Sequence, residues 1–219
     1  MMGKLSRNIS EALRRDDFER IRDYIVESCN LLLEDYQHQR KQMPNHENKI
    51  RNILLEEYLD DDSQRTDFDM GDYRFFPETQ EHYDGQGNYI GRADIRVMLK
   101  TDFEKRNAYY LVECKRLDGS PNLNKEYVEE GVVRFVSRKY SAYYGKGMML
   151  GFVVKKMNIS KNVQEIEDLQ NTSTEPNTHG KFAALDIRTS QEIYSCVYQL
   201  QRGVLELRHI FVDFSGVVK

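Results

Sequence analysis

Between residues 108 and 115 the chain reads Ala-Tyr-Tyr-Leu-Val-Glu-Cys-Lys, an apolar strand carrying an acid and a base two residues apart near its end. Alternation along a strand sends Glu113 and Lys115 to one face and Val112 and Cys114 to the other. Charged side chains seldom occupy such a strand unless they are paired or hold a metal ion. Any fold that buries this segment must therefore answer the charges at 113 and 115.

The preceding strand supplies one answer. Residues Tyr89 to Lys100 alternate, with Ile95, Val97 and Leu99 on one face and Arg92, Asp94 and Arg96 on the other. Asp84-Gly85 and Gly87-Asn88 mark the turn before them. A short aromatic run, Tyr73 to Phe76, precedes that turn. Asp94, Glu113 and Lys115 thus fall on neighbouring predicted strands. Two carboxylates beside an ammonium can hold a divalent cation next to a proton-handling group.

Around this pair the periodicity predicts helices. One long amphipathic helix is expected from about Asp16 to Gln42, with Phe18, Ile21, Ile25, Cys29 and Leu32 as its apolar stripe. Pro44 ends it, and Asn45 is the predicted cap of a second helix reaching about Leu59. On that helix Ile50, Leu54 and Tyr58 form the stripe, Glu47 shares the inward face, and Glu57 lies at its edge. The acidic run DDDSQRTDFDMGD lacks the glycine and terminal glutamate of an EF-hand loop and reads as a solvated loop. Ser120-Pro121 starts a helix expected to run from Leu123 to about Tyr144, and GMMLGFVV at 147–154 reads as a buried strand. A short helix at Val163–Leu169, a polar loop at 171–180, one more helical turn, and strands Tyr194–Leu200 and Val204–Phe214 complete the reading. No internal repeat or low-complexity tract is present. Helices, a strand hairpin, a strand, a helix and a strand make one mixed α/β domain.

With 31% charged residues, 39% hydrophobic ones and four prolines, the 219-residue composition is that of ordinary soluble globular protein. No apolar run is long enough to span a bilayer, and the opening MMGKLSRNIS lacks the apolar core of a signal peptide. Cys29, Cys114 and Cys196 are odd in number, scattered and without CxxC spacing, which argues for a reducing compartment and against structural zinc. A cytoplasmic protein with no membrane partner is the expectation. The net charge of −4 conceals an asymmetry: residues 56–84 carry eleven acids against Arg65 and Arg74, whereas 131–156 carry six bases and no acid. Phe135, Tyr140, Tyr143 and Tyr144 interleave with those bases, the raw material for gripping phosphates and stacking bases. Taken alone, the segment is better explained by a solvated helix face over core aromatics, and its place directly after the Glu-x-Lys strand is what favours nucleic acid.

The order of elements, with GRADI around Asp94 and YLVECKRL around Glu113 and Lys115, resembles the PD-(D/E)XK nuclease superfamily over roughly residues 45–156. Ala93 stands where many members have proline. The resemblance implies a single restriction-endonuclease-like domain at 45–219, a mixed central β-sheet flanked by helices, with residues 1–44 as a helical extension packed on the core. It implies a Mg2+-dependent endonuclease, with Mn2+ able to substitute. Asp94 and Glu113 would ligate the ion together with the backbone carbonyl of Cys114, and Lys115 would orient or deprotonate the attacking water. Glu47 would be a fourth acid, with Glu57 as fallback. Tyr127, Arg134, Arg138 and Lys139 on the following helix would face nucleic acid, DNA ahead of RNA; for Arg134 and Arg138 an ordinary surface pair of arginines is an equal reading. A role in bacterial restriction, phage defence or repair would follow, with a homodimer if both strands are cut and a protein partner if target choice or activation lies elsewhere. The alternatives are a catalytically silent binding module on the same fold and a hydrolase of another phosphoester.

Overall fold

The structure, a computed structural model, describes residues 2–140, 143–175 and 177–219. Helix α1 spans Met2–His38, and α2 spans Glu47–Leu54 with a π-helical turn, Leu55–Leu59, at its end. Helix α3 (Asp62–Asp67) leads to a hairpin of β1 (Tyr73–Tyr83) and β2 (Tyr89–Leu99), and then to β3 (Tyr110–Leu117). Helix α4 (Pro121–Tyr127) runs through a second π-helical turn, Val128–Val132, into α5 (Val133–Val136). Then follow β4 (Lys146–Val153), α6 (Ile159–Thr172), β5 (Ala183–Ile187), β6 (Gln191–Gln199) and β7 (Val204–Asp213).

The seven strands form one mixed sheet in the order β1-β2-β3-β4-β7-β6-β5. At its centre β3, β4 and β7 run parallel, and the pairs outside them are antiparallel. Central strands covered on both faces must be apolar throughout. Accordingly β4 is buried from Gly147 to Val153. On one face α1 and α2 contribute Phe18, Ile21, Ile25, Cys29, Leu32, Ile50 and Leu54, which pack on Ile95, Val112, Cys114, Leu150 and Ile210. The predicted stripe of α1 is thus part of the main core. The opposite face packs Tyr127, Val128, Val132, Phe135, Val163 and Ile166 on Leu111, Leu117, Met149, Leu207 and Phe211. The link after α1 is tied to the chain end, with Met43 N donating to Val217 O at 2.7 Å and Asn45 N to Lys219 O at 3.0 Å.

Several expectations are corrected. Helix α1 begins upstream of Asp16 and stops at His38. His46, not Asn45, caps α2, and no side chain makes the capping bond. The acidic run forms α3 because the Asp61 carboxylate accepts from Gln64 N, a helix start the loop reading overlooked. The helix expected to reach Tyr144 ends at Val136, where Arg138 takes φ +60°; residues 141 and 142 of that expected helix lie outside the described residues. Residue 176 of the predicted loop lies outside them too. In place of a last helical turn the chain forms β5.

Close approach of α5 to the sheet depends on Gly147. A Cβ built there stands 2.6 Å from Phe135 Cε1 and 3.1 Å from Leu207 Cδ2. Phe135 is fully buried, so the ring has nowhere to yield. Gly147→Ala is expected to destabilise the fold by about 1–3 kcal/mol, the usual cost of overpacking, measured as a lower urea midpoint with unchanged slope.

Candidate functional site

The β2–β3 ladder is short. It pairs Ile95 with Val112, Arg96 with Leu111 and Val97 with Tyr110, and goes no further. Beyond it the alternation along β2 slips: Ala93 packs in the core on one face, while Ile95 and Val97 pack on the other. Asp94 sits at the slip and fills the gap between the parting strands. Its Oδ2 accepts the Cys114 N–H at 2.8 Å, which the interrupted ladder would leave unpaired. A residue's N–H and C=O share one edge of a strand, so the Cys114 carbonyl is directed to the same gap.

Glu113 and Lys115 emerge together on the α4–α5 side of β3, as alternation requires. Lys115 Nζ lies 3.0 Å from Glu113 Oε1 and 3.3 Å from Glu47 Oε1. The other oxygen of Glu47 accepts Arg116 N at 3.0 Å, so α2 is docked by its first residue onto the end of β3. Arg134 Nη1 reaches Glu113 Oε1 at 2.9 Å, and the Tyr140 hydroxyl lies 2.7 Å from both Glu113 Oε2 and the Arg92 carbonyl. Gly131 lets the helix ride close above. A Cβ there would stand 2.4 Å from Met149 Cε and 3.7 Å from Lys115 Cγ.

Besides Arg92, which the alternation placed only on a face of β2, sequence reasoning missed three members. Arg51, 3% exposed, places Nη1 2.5 Å from Asp94 Oδ1 and Nη2 2.8 Å from Glu78 Oε1. Glu78 also pairs with Arg92. Tyr140, read only as an aromatic of the basic segment, is the third. Arg51 was detectable, since it lies four residues after Glu47 on one helical face. Nothing in the sequence around Glu78 marked it.

The floor of the site is Glu113, Lys115 and Arg51; its mouth is Glu47, Glu78, Arg92, Asp94 and Arg134, which retain solvent contact. Burial, and after it the Asp94 carboxylate, pushes Glu113 up to about 7, against the opposing pull of Lys115, Arg134 and Tyr140. Burial opposes the charge of Lys115, but Glu113, Glu47 and Asp94 outweigh it and hold the ammonium above the usual lysine range. Arg134 is likewise raised: burial opposes its charge and the Glu113 carboxylate prevails.

Not every predicted residue comes to the site. Tyr127 is fully buried and bonds His209 Nδ1 at 2.9 Å inside the core, so it cannot face nucleic acid. The cause is the π-helical turn at 128–132. Its extra residue means that Tyr127 and Arg134, seven positions apart, do not share one face of the helix. Arg138 is exposed and donates to the Arg202 carbonyl on the β6–β7 turn, and Lys139 is exposed beside it. Glu57 is exposed on the π-helical turn after α2.

Among the described residues no three Asp, Glu, His or Cys side chains stand together as a metal-binding group. The expected ligand set therefore reduces here to Asp94 and Glu113 with the Cys114 carbonyl, while both Glu47 oxygens are engaged by Lys115 and Arg116. That smaller set fits magnesium, which is held by one or two carboxylates and completes its shell with water and substrate oxygens. A cation held there would offset the electrostatic push of Asp94 on Glu113. Among the described residues no helix is long and apolar enough to cross a membrane. Comparison of the chain with protein-family models, with curated proteins and with solved structures gives no match.

Proposed function

We propose that this chain is a metal-dependent nuclease with a restriction-endonuclease-like domain, hydrolysing phosphodiester bonds in DNA. One observation carries the reading: Asp94 accepts the Cys114 N–H where β2 and β3 part, near enough to Glu113 to disfavour its charge, with Lys115 bonded to Glu113 on the buried floor. A buried carboxylate whose own environment disfavours its charge, next to a second carboxylate, is an arrangement built for a cation.

Asp94, Glu113 and the Cys114 carbonyl would hold Mg2+, with Mn2+ as substitute. Bound there, the ion supplies Lewis-acid polarisation of a phosphate and a more acidic water. Lys115, an ammonium among carboxylates, orients that water by donating a hydrogen bond, and Glu47 fixes the direction of its Nζ. Arg134 shares Glu113 Oε1 with Lys115 and Tyr140 donates to Oε2, so the carboxylate cannot swing away from the gap. Arg134 and Arg92, at the mouth, are placed to meet phosphate oxygens. Nucleic acid is thus the proposed partner and cytoplasm the proposed location, with restriction, phage defence or repair as the setting and a homodimer if both strands are cut.

The test is cleavage of plasmid and linear DNA with Mg2+, wild type against Asp94→Ala. Metal-dependent cutting that disappears in the variant is the expected result, and an inert wild type or an equally active variant overturns the reading. A second reading, a catalytically silent binding module, is favoured by one feature: each carboxylate of the site already has a cationic partner in the protein. Calorimetry with Mn2+ separates the two, because a silent module requires no ion binding that is lost on Glu113→Ala.

A further inference from the structure

Arg51 is forked between carboxylates of two neighbouring strands. One guanidinium nitrogen holds Asp94 Oδ1 at 2.5 Å and the other holds Glu78 Oε1 at 2.8 Å. Asp94 Oδ2 is fixed on the Cys114 N–H, so Oδ1 is the oxygen left for a ligand, and Arg51 occupies it. Glu78 is held for this contact against its own backbone preference. It has φ +29° inside β1, a conformation that glutamate adopts only when the surroundings impose it. The distortion lies directly across from Asp94, for the β1–β2 ladder pairs Pro77 with Ile95 and Thr79 with Ala93 and skips the position between.

A divalent ion arriving at Asp94 would meet this guanidinium. A buried arginine cannot give up its proton, so it must keep an anion when it loses one. Glu78 is that anion, already in contact.

We propose that Arg51 is the resident counter-cation of the site: it neutralises Asp94 in the metal-free protein and is retained by Glu78 alone when a divalent ion takes Asp94, so that the Arg51–Glu78 pair sets the affinity for the ion. The proposal rests on Asp94 being a metal ligand. It makes Arg51 and Glu78 positioning residues, acting through Asp94.

The experiment is isothermal titration of Mn2+ into the full chain, with no nucleic acid present. Arg51→Gln, which frees Oδ1, is expected to bind Mn2+ about tenfold tighter than wild type, and Glu78→Gln, which leaves Arg51 fastened to Asp94, about tenfold weaker. In Arg51→Gln/Glu78→Gln the second substitution loses its effect, because the cation it retained is gone. An Asp94-dependent dissociation constant that is unchanged or raised by Arg51→Gln, or a Glu78→Gln effect that persists without Arg51, overturns this proposal and leaves the nuclease reading standing. Absence of any Mn2+ binding sensitive to Asp94→Asn overturns both. If circular dichroism shows Arg51→Gln to be unfolded, Glu78→Gln carries the test by itself, since its side chain is 31% exposed, and an unchanged constant overturns the proposal.

Discussion

Lys115→Ala is expected to slow Mg2+-dependent cleavage of DNA by about 10²- to 10⁴-fold, the range for losing a group that manages a proton at the reacting centre. The Lys115 ammonium joins Glu113 on β3 to Glu47 on α2, so its removal loses both the water-orienting donor and the charge between two acids. The fold should survive, because Glu113 keeps Arg134 and Tyr140 and Glu47 keeps the Arg116 N–H. A stability loss of about 1.5–3 kcal/mol is expected from the charged hydrogen bonds removed, read by urea unfolding. Single-turnover cleavage on folded protein then isolates the chemical effect. Cleavage within a factor of two of wild type would remove Lys115 from the reaction and leave it a structural ion-pair member.

Acid should weaken the fold through His209, which stands on β7 two strands across from Glu113. The ring is fully buried between Tyr127 and Tyr198, whose hydroxyls lie 2.9 Å from Nδ1 and 3.2 Å from Nε2. Tyr198 donates its proton to Gln170 Oε1, so it accepts from Nε2–H, and Nδ1 takes the proton of Tyr127. Every group is satisfied only while the imidazole is neutral. Burial first, and Arg208 after it, lowers the His209 pKa from 6.5 to about 3. The unfolded chain therefore binds a proton here as pH falls below about 6.5, while the folded chain does not until about 3. Stability from this group is complete above that window and declines through it by about 1.4 kcal/mol per pH unit. Urea unfolding at intervals from pH 7 to 4 should show that decline for wild type, and a shallower one for His209→Gln, which cannot take up charge. Parallel slopes in the two proteins would refute the assignment.

What the sequence revealed and concealed follows from the range of each signal. Period-two alternation placed Glu113 and Lys115 together on β3, and the apolar stripe of α1 was legible because each depends on neighbours a few residues away. Two carboxylates on adjacent strands were legible as well. The place where β2 and β3 part was not, since a ladder ends through long-range geometry at Asp94 and Cys114. Arg51 and Glu78 stayed hidden for the same cause: their partners lie 43 and 27 positions from Arg51. Tyr127 was misplaced by assuming a uniform helix. The acidic run was weighed only as a calcium loop or a solvated one, which hid the Asp61 cap that folds it into α3.

The two π-helical turns bear on how such a chain can change. Each adds about one residue to a helix that carries a member of the site, α2 with Glu47 and Arg51, and α4–α5 with Arg134. In a uniform helix one extra residue rotates whatever follows by about 100°, a rotation that the wider π-turn absorbs. Deleting a single residue within 128–132 would restore an ordinary helix and leave Arg134 facing Glu113, because six α-helical steps turn the chain as far as the present seven that include the π-turn. The site is therefore buffered against a one-residue change in chain length at this turn. Substitutions that straighten the helix while keeping all seven steps from Tyr127 to Arg134 would instead rotate Arg134 by about 100° away from Glu113.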